Sequence, residues 1–473
     1  MTLIFSNHRF QYELERLFRN FFPPMELKLS TDRADAQGDY CLTEKQEIPG
    51  GVSLSVELVC GGKHYSMSRI VPGDTPDKEQ EREMSVLLYK ALREFTGRDL
   101  PWGILTGVRP VKVLSKLSDT QALESLLVSP RKLAIARKIE QVQKPLEASI
   151  PANSFSLYVS VPFCPTRCSY CSFVSHSVSQ ATARLDEYLL RMIEEMKQLA
   201  TISRHLGLVP DTIYFGGGTP TVLSAEQLKM LFAALEYFDL SRVREFTVEA
   251  GRPDTITYEK LTAIKAAGVG RISVNPQTMN DEVLKVIGRA HSSEQTEQAF
   301  LMAREVGFDV INMDLIAGLP SDNYDSFAAS LDAVCGLSPE NITVHSLSLK
   351  RAAALFRKDG EFASGETERM VDYAHRKLAE CGYIPYYLYR QKNTADNQEN
   401  TGYAKPGTES LYNTYIMEEL QTILAVGAGA STKLVDRSTG RIQRIMNHKY
   451  PYEYLDRFDD IMENKRQIFS FFV

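Results

Sequence analysis

Between residues 155 and 350 the sequence repeats one rhythm six times: a short apolar, β-branched run followed by an amphipathic stretch. The runs are "LYVSV", "TIYFG", "FTVEA", "RISVN", "DVINMDL" and "NITVHSL". Between them lie helical patterns such as "ARLDEYLLRMIEEMKQLATISRHL", "SAEQLKMLFAALEYF", "TYEKLTAIKAAG" and "SSEQTEQAFLMAREVG". A strand followed by a crossover helix and another strand gives a parallel pair, so the expected class is α/β with helices outside a parallel sheet. A six-unit partial barrel and an open doubly wound sheet both satisfy the pattern. In either, the residues just after each strand gather at one end, where such folds build their sites.

The flanks read differently. In the first ~150 residues, "VSLSVELVCGG" and "KHYSMSRIVPG" alternate apolar and polar residues around Gly61 and Gly62, a β-hairpin pattern. "KEQEREMSVLLYKALREFTG" has helical spacing and stops at Gly97. A charged helix, "SPRKLAIARKIEQVQKPLEAS", leads to Pro151, taken as a boundary. The expected organisation is an N-terminal α+β module over 1–150, the β/α core over 151–350 and a covering segment over 351–473. In that last segment "TERMVDYAHRKLAECGY" reads as a helix, and "IPYYLYRQKNTADNQENTGYAKPG" as an aromatic, basic loop.

Charge and targeting narrow the function classes. A net charge of −6 argues against a general nucleic-acid surface while leaving room for a local basic pocket. No run approaches the roughly 20 apolar residues that span a bilayer. The start, "MTLIFSNHRF", does not resemble a secretory signal, so the expected location is cytoplasmic. There a structural disulfide is disfavoured.

Three of the seven cysteines, Cys164, Cys168 and Cys171, fall in "CPTRCSYC", a C-x3-C-x2-C pattern just after the first core strand. Thiolates suit zinc or iron–sulfur clusters. Structural zinc usually takes four ligands, and no second C-x2-C pair exists here. Three ligands to a four-iron cluster leave one iron open. Cys41, Cys60, Cys335 and Cys381 have no paired spacing and read as buried thiols.

"YFGGGTPT" (214–221) puts three glycines after the second strand, where a ligand can approach bare backbone. The other strand ends are polar: Glu249, then Asn275 and Gln277, Asp314, and His345, with Arg289 and His291 in "IGRAHS". A strand-end carboxylate commonly caps the next helix. Several on one rim suggest a binding site.

Taken together, the cysteine pattern, Tyr170 before its last cysteine and "GGGTP" resemble the signature of radical S-adenosylmethionine enzymes. "YVSVPFCPTRCSYCSF", "IYFGGGTPT", "INMDLIAGLP" and "GYAKPG" are similar to the oxygen-independent coproporphyrinogen III oxidase (coproporphyrinogen dehydrogenase) family. "VRPVK", "VEAGRPDT", "VHSLSLKRAA" and "YYLYRQKN" are similar to its HemZ-like branch. The resemblance implies a partial (β/α)6 TIM-like barrel and a [4Fe–4S] cluster on Cys164, Cys168 and Cys171. It implies S-adenosyl-L-methionine on the open iron, with Gly216, Gly217, Gly218 and Thr219 at its amino end. Glu249, Gln277, Arg289 and Asp314 match positions contacting its carboxylate and ribose, and Phe173 and Gly318 match backbone contacts to its adenine. Tyr158 matches a tyrosine beside the cluster, and is the implied catalytic residue.

The implied reaction is oxidative decarboxylation of coproporphyrinogen III propionates to the vinyl groups of protoporphyrinogen IX, in haem and porphyrin biosynthesis. A 5′-deoxyadenosyl radical removes a β-hydrogen, and CO2 and one further electron leave. Its implied partners are a tetrapyrrole substrate and an electron donor such as a flavodoxin or ferredoxin. Lys350, Arg351, Arg390, Lys392 and Lys405 are candidate cations for the substrate's carboxylates. Ser160 stands where the family's oxidases read histidine in Tyr-x-His, and Phe173 where they carry an additional cysteine. Two further readings therefore stand beside the oxidase: the same radical chemistry on another tetrapyrrole, and a haem-binding or haem-delivering relative without oxidase turnover.

Overall fold

In the computed structural model, which describes residues 1–22, 25–172, 176–177, 184–348, 365–392 and 394–472, the six apolar runs form six adjacent parallel strands. They are β1 (Ser154–Val161), β2 (Val209–Gly217), β3 (Glu245–Glu249), β4 (Arg271–Ser273), β5 (Val310–Ala317) and β6 (Asn341–Ser346). Each pairs with the next in chain order, for example Leu157 with Ile213 and Val248 with Ile272. This is the α/β, partial TIM-like arrangement. The strands are buried along most of their length, which is why they read as nearly continuous apolar runs. The intervening helices start where short polar side chains cap them. Ser224 with Gln227, and Ser292 with Gln295, form reciprocal capping boxes.

The C-terminal residues differ from the expected covering loop. "IPYYLYR" and "ENTGYA" are strands β7 (Ile384–Arg390) and β8 (Glu399–Ala404). β8 runs antiparallel to both β6 and β7, extending one edge of the sheet. β9 (Thr422–Val426) adds parallel to β1 at the other edge, and β10 (Ser431–Val435) and β11 (Ile442–Met446) follow antiparallel. The eleven strands thus form one sheet. Polarity concealed β8, because its first two side chains, Glu399 and Asn400, find partners inside the fold. Glu399 pairs with His375 at 2.8 Å, and Asn400 accepts from the Ser346 amide at 2.9 Å.

The chain divides into two compact units, Met1–Lys138 and Ile139–Val473. The division falls before residue 150 because the second half of helix Pro130–Ala148 packs with the later unit. Gln143 donates to the Tyr386 carbonyl at 3.0 Å and to Glu418 at 3.3 Å. The first unit holds a five-stranded sheet, including the hairpin Gly51–Cys60 and Lys63–Val71, whose turn places Gly61 and Gly62 at positive φ. Helix Asp77–Thr96 closes on left-handed Gly97.

Among the described residues no cysteine forms a disulfide. Cys41 is buried, but Cys60 and Cys335 are only half-buried and Cys381 is exposed, correcting the reading of all four as buried thiols. Cys381 sits at the C-cap of helix Glu366–Glu380, where the helix meets solvent. Among the described residues no helix is long and apolar enough to cross a membrane.

Candidate active site: a cysteine tripod at the mouth of the barrel

β1 ends at Val161, and the chain turns through Pro162 into the cysteine loop. The glycine loop after β2 holds this loop in place through backbone bonds. The Gly218 amide donates to the Val161 carbonyl at 2.8 Å, and the Thr219 amide to the Phe163 carbonyl at 2.7 Å. A Cβ on Gly218 would sit 2.5 Å from the Phe163 oxygen, and Gly217 has φ +103°. The glycines therefore serve the chain's own close approach as well as any ligand's. The loop is tied on its other side too, Ser169 N donating to the Ile287 carbonyl at 3.0 Å.

Cys164, Cys168 and Cys171 line one cavity of about 690 Å³. Cys164 Sγ lies 3.4 Å from Thr219 Oγ1. Two buried guanidinium groups address Cys168 Sγ: Arg252 Nη1 at 3.6 Å and Arg289 Nη1 at 4.0 Å. Such charged donors stabilise negative charge on sulfur. Among the described residues no three His, Cys, Asp or Glu side chains converge tightly enough to hold a single metal ion. Three cysteine thiols spread around one cavity, one of them flanked by cations, suit a larger anionic cluster. The donor set fits a [4Fe–4S] cubane.

The other expected residues fall in three groups. Tyr158, Gly217, Gly218, Thr219, Glu249, Gln277, Arg289 and Asp314 line the cavity with the cysteines. Gly216 lies behind it, where a Cβ would stand 2.9 Å from Glu249 Oε2. Gly318, at φ +83°, packs against Thr367 and Ala395 instead of the cavity. Phe173, Lys350 and Arg351 lie outside the described residues.

The substrate cations change most. Arg390 is buried and donates to Asn397, so its charge is spent inside the fold. Lys405 follows β8 at the start of β6, the opposite end of the barrel from the cysteines, and bonds Ser338 and Glu340. Neither lines the cavity: β8 carries Lys405 to the far end, and Arg390, at the rim end of β7, is turned into the fold toward Asn397. Lys392 stays near it: its carbonyl accepts from Ser348 Oγ at 2.9 Å, and Ser348 and Gln391 line the cavity.

Electrostatics separate the two cavity carboxylates. Burial raises Glu249 to about 7, partly opposed by Tyr214, whose hydroxyl donates to it at 2.5 Å; the Asp314 charge adds to the rise. Burial works against Asp314 also, but hydrogen bonds from His345 and Asn312 outweigh it and hold it below the usual range. Tyr158 is pushed up by burial and by the Glu249 charge, and stays a neutral phenol. It stacks on Tyr214 and Tyr412, both at 6.2 Å between ring centres. Asn275 Oδ1 and Gln277 Oε1 are buried at the cavity wall without a hydrogen-bond partner, as expected of groups awaiting a ligand.

Sequence reasoning passed over Arg252, Tyr214 and Tyr412. The only signal for Arg252 was its place three residues beyond the β3 terminus; the tyrosines carried none, since a strand or helix aromatic reads as core.

Comparison with known proteins agrees with this geometry. The family model described as the radical SAM superfamily matches residues 158–334. The oxygen-independent coproporphyrinogen-III oxidase-like protein HemZ of Bacillus subtilis is 37% identical over 97% of this chain and 95% of that protein. Heme chaperone HemW of Bacillus subtilis is 34% identical over 58% of this chain and 70% of that protein. Among solved structures, coproporphyrinogen III oxidase (HemN) from Escherichia coli, titled a radical SAM enzyme, is similar at TM-score 0.54 and 25% identity. The match covers 67% of this chain and 71% of that one.

Fold, tripod and these likenesses define a radical SAM protein, a class that uses a [4Fe–4S] cluster and S-adenosylmethionine. Within that class the chain belongs to the HemZ-like family of oxygen-independent coproporphyrinogen-III oxidase-like proteins.

Proposed function

We propose that this chain is an oxidoreductase that decarboxylates coproporphyrinogen III propionates to vinyl groups without O2. The observation that carries the reading is the full-length likeness to the HemZ oxidase-like protein, in a chain whose cysteine tripod opens onto a cavity of about 690 Å³. When bound, the cluster and S-adenosylmethionine supply sulfonium cleavage and removal of a hydrogen atom from carbon. Cys164, Cys168 and Cys171 hold the cluster. Gly217, Gly218, Thr219 and Gln277 offer polar backbone and side-chain atoms that would orient S-adenosylmethionine, and Arg289, on the same wall, would supply positive charge for its carboxylate. Asp314, held ionised, accepts from hydroxyl groups, while Glu249 can exchange a proton near neutral pH. Tyr158, Tyr214 and Tyr412 wall the cavity with rings and keep water from the reacting carbon. Lys392 is the described candidate for meeting a propionate at the mouth.

Ser160, which stands where the family's oxidases carry histidine, is buried: its hydroxyl donates to the Ala428 carbonyl at 3.0 Å, and a Cβ on Gly217 would stand 2.8 Å from Ser160 Oγ.

The test is product analysis. The reconstituted protein is given reductant, S-adenosylmethionine and coproporphyrinogen III under argon. Vinyl-bearing tetrapyrrole with methionine and 5′-deoxyadenosine is the expected result. Cofactor cleavage without vinyl product would move the reading to another tetrapyrrole. Haem binding with no cleavage would move it to haem delivery.

A further inference from the structure

Arg252 is 2% exposed and stands just beyond the rim end of β3, where the chain leaves the sheet through Gly251. Its guanidinium is engaged on both sides. Nε and Nη2 donate to the two Asp254 carboxylate oxygens, each at 2.9 Å, a two-point clamp that fixes the plane of the group. Toward the cysteine loop, Nη1 donates to the Thr166 carbonyl at 3.3 Å and to Cys168 Sγ at 3.6 Å, and Nη2 donates to Thr166 Oγ1 at 3.1 Å. Asp254 is itself held in place by the two clamp bonds, and His291 Nδ1 lies 3.8 Å from its Oδ1.

A buried cation needs a reason to be where it is. Asp254 alone would satisfy an ion pair at the surface. The pair is instead placed so that the remaining edge of the guanidinium spans the middle of the cysteine loop and ends on the central thiol. Hydrogen bonds to cluster sulfur and nearby positive charge favour the more negative, reduced state, and so raise a cluster's reduction potential.

We propose that Arg252 is a positioning residue for the iron–sulfur centre: clamped by Asp254, it fixes the Thr166–Cys168 turn and donates to the Cys168 thiolate, raising the potential of the cluster that Cys168 ligates. This rests on the radical SAM assignment, and nothing in that assignment requires it. In this role Arg252 acts through Cys168.

The full chain is reconstituted anaerobically as wild type, Arg252→Gln, Arg252→Lys and Asp254→Asn. Iron and sulfide per chain are measured, and the midpoint potential is followed by electron paramagnetic resonance without S-adenosylmethionine. Arg252→Gln should hold a cluster whose midpoint is more negative than wild type. Arg252→Lys, which keeps the charge but loses the fork, should fall between them, and Asp254→Asn should shift in the same direction by less. If Arg252→Gln assembles no cluster, the lysine variant carries the test. An unchanged midpoint in whichever Arg252 variant holds full iron overturns the proposal. A wild-type chain that takes up no cubane iron defeats the cofactor reading itself, an outcome told apart by the wild-type iron content alone.

Discussion

Strand β3 begins and ends with glutamate, and the two carboxylates have opposite lives. Residues 245, 247 and 249 alternate onto one face of the strand, so both glutamates point the same way. Glu245, at the start, is saturated. It accepts from Ser410 Oγ at 2.9 Å and from the Leu411 and Tyr412 amides at 2.7 and 3.2 Å, and Arg271 lies 3.5 Å away. It thereby ties the first turn of helix Leu411–Glu418 to the barrel. Glu249, at the rim, receives the Tyr214 hydroxyl, faces the Asp314 charge and lines the cavity. The difference teaches that one end of this barrel is built for closure and the other is left chemically unfinished, as barrels that carry sites generally are.

The sharpest break with the closed end comes from the rim itself. Cys168→Ala should remove all cluster absorbance and all S-adenosylmethionine cleavage while leaving the far-ultraviolet circular dichroism of the apo chain intact. Next in size, Glu245→Ala should cost about 3 kcal/mol in denaturant unfolding, the usual scale for stripping one partner from a buried charge network. A loss near zero would remove the contrast between the two ends.

Glu249→Gln should do the reverse, keeping stability but weakening S-adenosylmethionine binding by roughly tenfold, or about 1.4 kcal/mol, in calorimetry. The same variant tests the pH dependence. Glu249 has a folded value of about 7 against 4.5 for the free side chain, so the folded state keeps a proton that the unfolded chain has lost. That contribution to stability is complete below pH 4.5 and is lost as pH rises through about 7. Melting curves across this window should therefore decline less in the glutamine variant than in wild type. Smallest of all, Cys335→Ala should leave cluster content unchanged and shift stability by no more than about 1 kcal/mol, since the thiol is half-buried and remote from the tripod.

The six parallel strands were readable because strands buried on both faces are written as apolar runs, and their helices as amphipathic ones. The tripod was readable because its three cysteines are near neighbours in the chain. Strand β8 was not: "ENTGYA" has the composition of a loop, and becomes a strand only because His375 and the Ser346 amide satisfy its polar groups. Lys405 looked like a substrate cation for the same reason, since with β8 unseen the end of the barrel it occupied could not be known, and Arg390 did because its bond to Asn397 forms only in the fold. Arg252 was in plain view within "EAGRPDT", yet its meaning depends on a sulfur 84 positions earlier.

By itself the sequence determined the β/α alternation, the cysteine triplet and the glycine turn beside it, because periodicity and local spacing are properties of neighbouring residues. Only the tertiary structure decided which carboxylate is closed and which is open, which cations face the cavity, and how Arg252 meets Cys168. Those outcomes depend on contacts between residues tens to hundreds of positions apart, whose energies exist only once the sheet has brought them within hydrogen-bonding distance.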